Sequence, residues 1–281
     1  MTLTRTRPDA PAARPVDPRR LLRLARLDMT LLWRNRTALF GVVGLPAFFA
    51  VMLLVSDGNG HQSAGVPAVL YTGTGDLAFF LLPAVFMNLV SVFTARREEL
   101  TLKRLRSGPL SDAEALGGSV LGATALYLAQ SAVIVVIIAT ALDGGLPADP
   151  VLMLLGMLLG AVVFALLAMA LSGVTPTVEM AQLTVIPVLL VSMLGSGFMF
   201  PLEEAPVGVR AVAQVMPLTP AVEIARTAYL GRDFTVDGDH GALGLVETWT
   251  ACVPALLTLA AWIVVGAWLA RRYFRWEPRR G

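Results

Sequence analysis

Cysteine, lysine and histidine are nearly missing from this sequence of 281 residues, which holds one cysteine (Cys252), one lysine (Lys103) and two histidines (His61 and His240). A single thiol excludes a disulfide scaffold. The two histidines stand far apart in loops, which excludes the H-E-x-x-H zinc motif. A Gly-x-Ser-x-Gly nucleophile elbow and a G-x-x-x-x-G-K-[ST] phosphate loop are absent as well. Cys252 has no base beside it in sequence and reads as a small core residue. No catalytic, cofactor-binding or metal-binding residue is therefore expected. Charge is also scarce: 15% of residues are charged and 56% are apolar, with a mean hydropathy of +0.70. Soluble domains carry about 25% charged residues. The balance excludes disorder and an ordinary soluble domain, and it predicts an all-α integral membrane protein.

Six stretches, 38–55, 77–94, 117–142, 151–172, 183–200 and 249–270, are apolar enough to cross the hydrocarbon core. A crossing helix takes about 20 residues. None of the six contains Asp, Glu, Lys or Arg, each of which costs roughly 2.5–3.5 kcal/mol at mid-bilayer. A gradient-driven carrier would place ionisable groups there, so energy for transport is expected from outside the chain. Of the 22 basic residues, nineteen lie in 1–37, 95–116 and 271–281, and three (Arg210, Arg226, Arg232) lie in 201–248. That asymmetry puts both termini in the cytoplasm. The arginines flank apolar runs and form no groove-sized patch, so the pI of 9.0 reflects topology and no nucleic-acid partner is expected.

Residues 1–17, rich in Arg and Pro, are predicted to be a disordered cytoplasmic tail. Over 18–37 a helical wheel puts Arg19, Arg23, Arg26, Thr30 and Arg34 on one face and Leu21, Leu24, Ala25, Leu31 and Leu32 on the other. The pattern predicts a helix lying in the membrane interface.

Between the second and third stretches, residues 95–111 mix charges of both signs (Arg96, Arg97, Glu98, Glu99) with Leu100, Leu102 and Leu105. A helix held on a membrane surface would carry mostly one sign, so the segment suits either a charged protein partner or a solvated connector. Ser111 and Glu114 have the spacing of a capping box for the next helix. The segment resembles the cytoplasmic coupling region of ABC type-2 export permeases, Arg-Glu-x-Gly-Thr-Leu-Glu-x-Leu followed by Pro. Arg97, Glu98, Thr101, Leu102, Leu105 and Pro109 match, while Leu100 stands where Gly is usual and Lys103 where Glu is usual.

Further along, Gly195-Ser-Gly-Phe-Met-Phe-Pro201 and then Met-Pro-Leu-Thr-Pro (216–220) with Arg226 are similar to the same family's fifth helix, Phe-Pro exit and external helices. Pro220 replaces a residue that is more often His, Ser, Arg or Tyr; Arg36 and Pro46 also fit. Two short helices, 204–215 and 220–229, are predicted here, broken at Pro217 and Pro220 and dipping into the outer leaflet. Glu223 and Arg226, three apart, can pair on one face. Glu203 and Glu204 at the mouth of the fifth span suit either an interface anchor or attraction of a cationic substrate.

The resemblance implies a six-span permease with an N-terminal interfacial helix and re-entrant external helices between spans five and six. It implies that Arg96 to Pro109 and the interfacial helix dock onto a separate ABC ATPase, two copies per transporter. It further implies that two permease copies, identical or different, pair across the second and fifth helices. Phe86, Met87, Asn88, Met193, Phe198 and Met199 would then line the pathway of an exported small molecule, with Gly195 and Gly197 allowing close helix approach. Aromatic rings and thioethers suit an amphipathic drug or antibiotic. Lipid, polysaccharide or ion export, a gradient-driven carrier and a membrane anchor are the alternatives.

Overall fold

An aspartate followed by a proline starts the first helix. In the computed structural model, which describes residues 17–34, 36–56, 62–99, 112–198, 202, 206–235 and 240–274, the Asp17 carboxylate accepts the Arg19 N–H at 2.9 Å. Pro18 fills the first helical position, where no donor is needed. Helix α1 (Pro18–Arg34) exposes Arg19, Arg23, Arg26 and Thr30 and half-buries Leu21, Leu24 and Ala25, as the wheel predicts. Helix α2 (Arg36–Ser56) follows, then a short hairpin of β1 (Gln62–Ser63) and β2 (Val66–Pro67).

The second span is one helical unit in three parts: α3 (Ala68–Phe79), a π-helical segment (Leu81–Met87) and α4 (Asn88–Glu98). Pro83 lies in the π-helical segment; having no N–H, it breaks the regular i→i−4 ladder. The remaining helices are α5 (Asp112–Ala141), α6 (Pro150–Val174), α7 (Val178–Gly195), α8 (Val207–Val215), α9 (Thr219–Leu230) and α10 (Leu245–Tyr273). Among the described residues five helices are long and apolar enough to cross a membrane: Ala68–Glu98, Leu116–Ala141, Pro150–Val174, Val178–Gly195 and Leu245–Tyr273. The expected crossing over 38–55 falls on α2, whose described apolar part is Pro46–Ser56.

Two helices that carry expected spans have other bounds than the apolar stretches. The second span begins at Ala68 rather than at 77, because Asp76 interrupts the apolar run in sequence yet is fully buried within the helix. The fifth begins at Val178 and ends at Gly195, ahead of the expected 183–200, because Gly197 takes a left-handed φ of 68° that turns the chain out of the helix. The Glu114 carboxylate accepts the backbone N–H of Asp17 at 2.9 Å and lies 3.9 Å from Arg20, while Ser111, its expected capping partner, lies outside the described residues. Glu114 therefore ties the start of α1 to the start of α5.

The helix ends gather in two layers. One holds the starts of α1 and α5, the ends of α4, α6 and α10 and the start of α7, linked through Glu114, Arg97 and Glu98. The other holds the starts of α3, α6 and α10, the end of α7 and helix α9. There Asp149 caps α6 by accepting the N–H groups of Val151 and Leu152, and its second oxygen accepts the Trp249 indole N–H at 2.7 Å. The second span runs between the layers through the core, with Leu77, Phe80, Leu81, Leu82 and Val85 wholly buried. Helices α7 and α10 instead leave Leu183, Leu190, Leu194, Val264 and Trp268 exposed, the pattern of a lipid-facing surface.

Helix α1 lies close on α5 because Gly117, Gly118 and Gly122 carry no side chain. A Cβ on Gly118 would sit 2.5 Å from the Leu24 Cβ. Gly118→Val should thus force the helices apart, costing about 1–3 kcal/mol as overpacking does. Limited proteolysis and thermal unfolding in detergent should show α1 cut sooner and the midpoint lowered. Gly208→Ala, at a position open to solvent, should change neither.

Candidate functional site

Two buried arginines organise the two layers. Helix α9 starts with Thr219 and Pro220 in its first turn, where a missing N–H costs nothing, and closes at Gly231 with a left-handed φ of 62°. That placement explains why proline is accepted at 220. The helix carries Arg226 inward, leaving it 3% exposed. Its guanidinium donates to the carbonyl oxygens of Tyr71 at 3.0 Å, Gly197 at 3.3 Å and Phe198 at 3.4 Å, and it stacks 3.5 Å from the Tyr71 ring centroid. The Tyr71 hydroxyl donates in turn to the Gly197 carbonyl at 3.3 Å. One side chain thereby joins the external helix, the start of the second span and the end of the fifth.

Asp76 lies in this neighbourhood with no exposed surface, and neither carboxylate oxygen has a hydrogen-bond partner among the described residues. Arg226 attracts it from beyond ion-pair distance and offsets part of the cost of its burial. Gly75 makes room for the guanidinium: a Cβ there would come 2.8 Å from Arg226 Nη2 and 3.0 Å from the Phe198 carbonyl oxygen. Burial pushes the guanidinium down to about 10, against the attraction of Tyr71, Glu223 and Asp76, so Arg226 stays charged at neutral pH. A cavity of about 30 Å³ lies beside it, bounded by Ser196, Glu223, Arg226 and His240, large and polar enough to admit water. The expected Glu223–Arg226 ion pair is not made. The guanidinium points into the protein towards open carbonyls rather than along its own helix, and Glu223 acts through its charge.

In the opposite layer three consecutive residues at the end of α4 reach three different helices. Arg96 donates to the Ser119 hydroxyl on α5 at 2.6 Å. Arg97, 2% exposed, donates to the carbonyl oxygens of Ser172, Thr175 and Pro176 at the end of α6, where a helix leaves its last carbonyls without intrahelical partners. Glu98 accepts the Val178 N–H at 3.2 Å at the start of α7, a position where the helix dipole favours an anion. Glu99 is exposed just beyond. Thr101, Leu102, Leu105 and Pro109, like the tail 1–16, lie outside the described residues.

Of the expected pathway residues, Phe86 is buried against Phe164, with ring centroids 6.0 Å apart, and Phe198 stacks on Phe79 at 4.6 Å. Both rings pack in the protomer's own core. Met87 and Asn88 are half-buried on the second span, with the Asn88 amide donating to the Ala84 carbonyl at 3.3 Å, and Met193 is half-buried on the fifth. Helix α7 packs beside α4, so the second and fifth spans are neighbours within one protomer. Pro217 is buried in the turn between α8 and α9; Met199, Glu203 and Glu204 lie outside the described residues. Sequence reasoning missed Asp76, Tyr71 and Gly75, and the available signal was a lone carboxylate at the edge of an apolar run.

Arg226→Ala should destabilise the protein by about 3–5 kcal/mol, the scale for leaving a buried charge uncompensated. Arg226→Lys should cost nearly as much, because an ammonium cannot fork between carbonyls. A double-mutant cycle of Arg226→Gln with Asp76→Asn, read by unfolding in mixed micelles, should give a coupling energy well above zero; independent effects would refute the pairing. Arg97→Ala should likewise lower stability by a few kcal/mol, and Arg97→Lys should recover only part of it.

No curated protein matches this chain. A family model described as "ABC-2 type transporter" matches residues 20–230, from within α1 to the end of α9. That span takes in both arginine clusters and helices α2 to α9 entire, and the chain accordingly belongs to the ABC-2 type transporter family, as a membrane component of an ABC transport system.

Proposed function

We propose that this chain is the permease subunit of an ATP-driven exporter, working as a dimer with two copies of a separate ABC ATPase. It crosses the membrane six times with both termini in the cytoplasm, and it supplies the pathway while the partner hydrolyses ATP. The observation that carries this reading is the fastening of Arg96, Arg97 and Glu98 to three different spans, directly ahead of residues 100–111. A push on that segment reaches α5, α6 and α7 together through short hydrogen bonds. The mixed-sign segment and α1, joined to α5 by Glu114, offer the ATPase its contact surface.

At the other layer, Arg226 fastens the second span to the exit of the fifth, so outward opening requires these contacts to shift together. The exposed stripe of Met180, Leu183, Leu190 and Leu194 on α7 supplies an apolar face for the second copy. Met87, Asn88 and Met193 are the half-buried side chains left to meet a substrate, and their adaptable, mostly apolar chemistry suits an amphipathic drug or antibiotic.

Purification of the tagged chain from its native membrane in mild detergent should recover an ABC ATPase. Leu102→Asp with Leu105→Asp should release that ATPase without unfolding the permease. Efflux from vesicles should stop on ATP depletion and persist when the proton gradient is collapsed. Efflux that follows the gradient, with no ATPase recovered in several detergents, would refute the proposal.

A further inference from the structure

The transport reading leaves one feature of the described residues unused, a groove between α1 and α5. It measures about 590 Å³, within the roughly 300–1,000 Å³ of small-molecule pockets. Its walls include Leu22, Arg23, Arg26 and Met29 from α1 and Leu121 and Gly122 from α5. Gly122 keeps the floor low, since nothing but helix backbone and the tip of Met29 lies near its missing side chain. Leu22 is 61% exposed and Leu121 is 41% exposed, so apolar surface stands open on both walls.

The two walls differ in a way that selects the occupant. Leu121 and Gly122 belong to Leu116–Ala141, a helix apolar enough to cross a membrane, so that wall opens towards hydrocarbon. Arg23 and Arg26 stand three residues apart on the exposed face of α1, and no described carboxylate pairs with either. Two guanidiniums at the rim of an apolar slot match an anion that carries its own hydrocarbon. A guanidinium presents a planar fork that fits phosphate oxygens in pairs. A soluble protein partner would satisfy the charges and leave the apolar slot unfilled, whereas a zwitterionic lipid would bring its own ammonium to compete with the arginines.

We propose that this groove binds one anionic phospholipid of the membrane leaflet that α1 lies in. Its phosphate sits between Arg23 and Arg26, and an acyl chain runs along Leu22, Met29 and Leu121. The bound lipid would cover the apolar rim of the seam between the interfacial helix and the third span, where Leu22 and Leu121 stand exposed. The proposal rests on the interfacial placement of α1 given above and not on the ATPase partnership.

The test uses the full chain purified in detergent and titrated with dioleoyl phosphatidylglycerol or dioleoyl phosphatidylcholine, with bound lipid counted by native mass spectrometry. An arginine near a lipid surface contributes about fivefold in affinity, so phosphatidylglycerol should be preferred by roughly twentyfold or more. Arg23→Gln with Arg26→Gln should bring the two lipids to equal, weak binding. Ala125→Phe, which adds bulk to an exposed position on the groove wall, should reduce both lipids while leaving the arginines in place. Thermal unfolding without added lipid checks that each variant is folded.

Equal binding of the two lipids to the native chain would overturn the proposal, as would a preference that survives the double arginine change. Recovery of an ABC ATPase is followed in the same preparations. Loss of the ATPase from the double variant with lipid preference unchanged would assign the arginines to a protein interface and overturn the lipid site. Failure to recover an ATPase from the native chain, with lipid preference intact, would strike the export reading alone.

Discussion

A guanidinium carries five N–H donors in a rigid plane, and this protein buries two such groups against backbone carbonyls, most of them at helix ends that leave carbonyls without intrahelical donors. Arg97 answers the open end of α6, and Arg226 answers the turn that ends α7 and the first turn of α3. In hydrocarbon an unsatisfied carbonyl costs several kcal/mol, so helices that stop, bend or turn at membrane depth need a donor from elsewhere in the chain. Each arginine supplies several at once. The remaining packing follows from where these two side chains are held: Gly75 has no side chain because the Arg226 guanidinium lies there, and the second span is central because both arginine clusters include it.

The two clusters differ in how their charge is met. Arg97 spends its hydrogens on carbonyls of one helix end and is flanked by Arg96 and Glu98, each fastened to a different neighbour, so the end of α4 becomes a junction of four helices. Arg226 faces a buried carboxylate that has no hydrogen bond of its own among the described residues and an aromatic ring that screens it from lipid. The first arrangement ties helix ends together through direct hydrogen bonds. The second keeps an under-satisfied acid beside a small polar cavity, and it joins an external helix to two spans through contacts of 3.0–3.4 Å.

Between the layers, exposure is uneven. The second span is enclosed, whereas α7 and α10 present apolar side chains outward along most of their length. Within that contrast Phe86 and Phe198 pack in the protomer's own core, whereas Met87, Asn88 and Met193 are half-buried and the outer stripe of α7 is exposed.

The sequence by itself determined the all-α membrane class of structure, the rough place of the five apolar helices found among the described residues and the amphipathic first helix. Each rests on local composition and period, which the bilayer reads directly. It also carried the family through the Arg-Glu and Pro-Leu-Thr motifs. Only the tertiary structure decided where the second span begins, because a carboxylate inside an apolar helix is tolerated only when a distant residue compensates it. Asp76 and Arg226 are far apart in the chain and meet only once α3 and α9 are packed. The same reason explains why Arg96, Arg97 and Glu98 read as a surface motif in sequence yet serve as ties in the fold. Charge alone does not tell a partner in solution from a helix end across the bundle; the position of that helix end does.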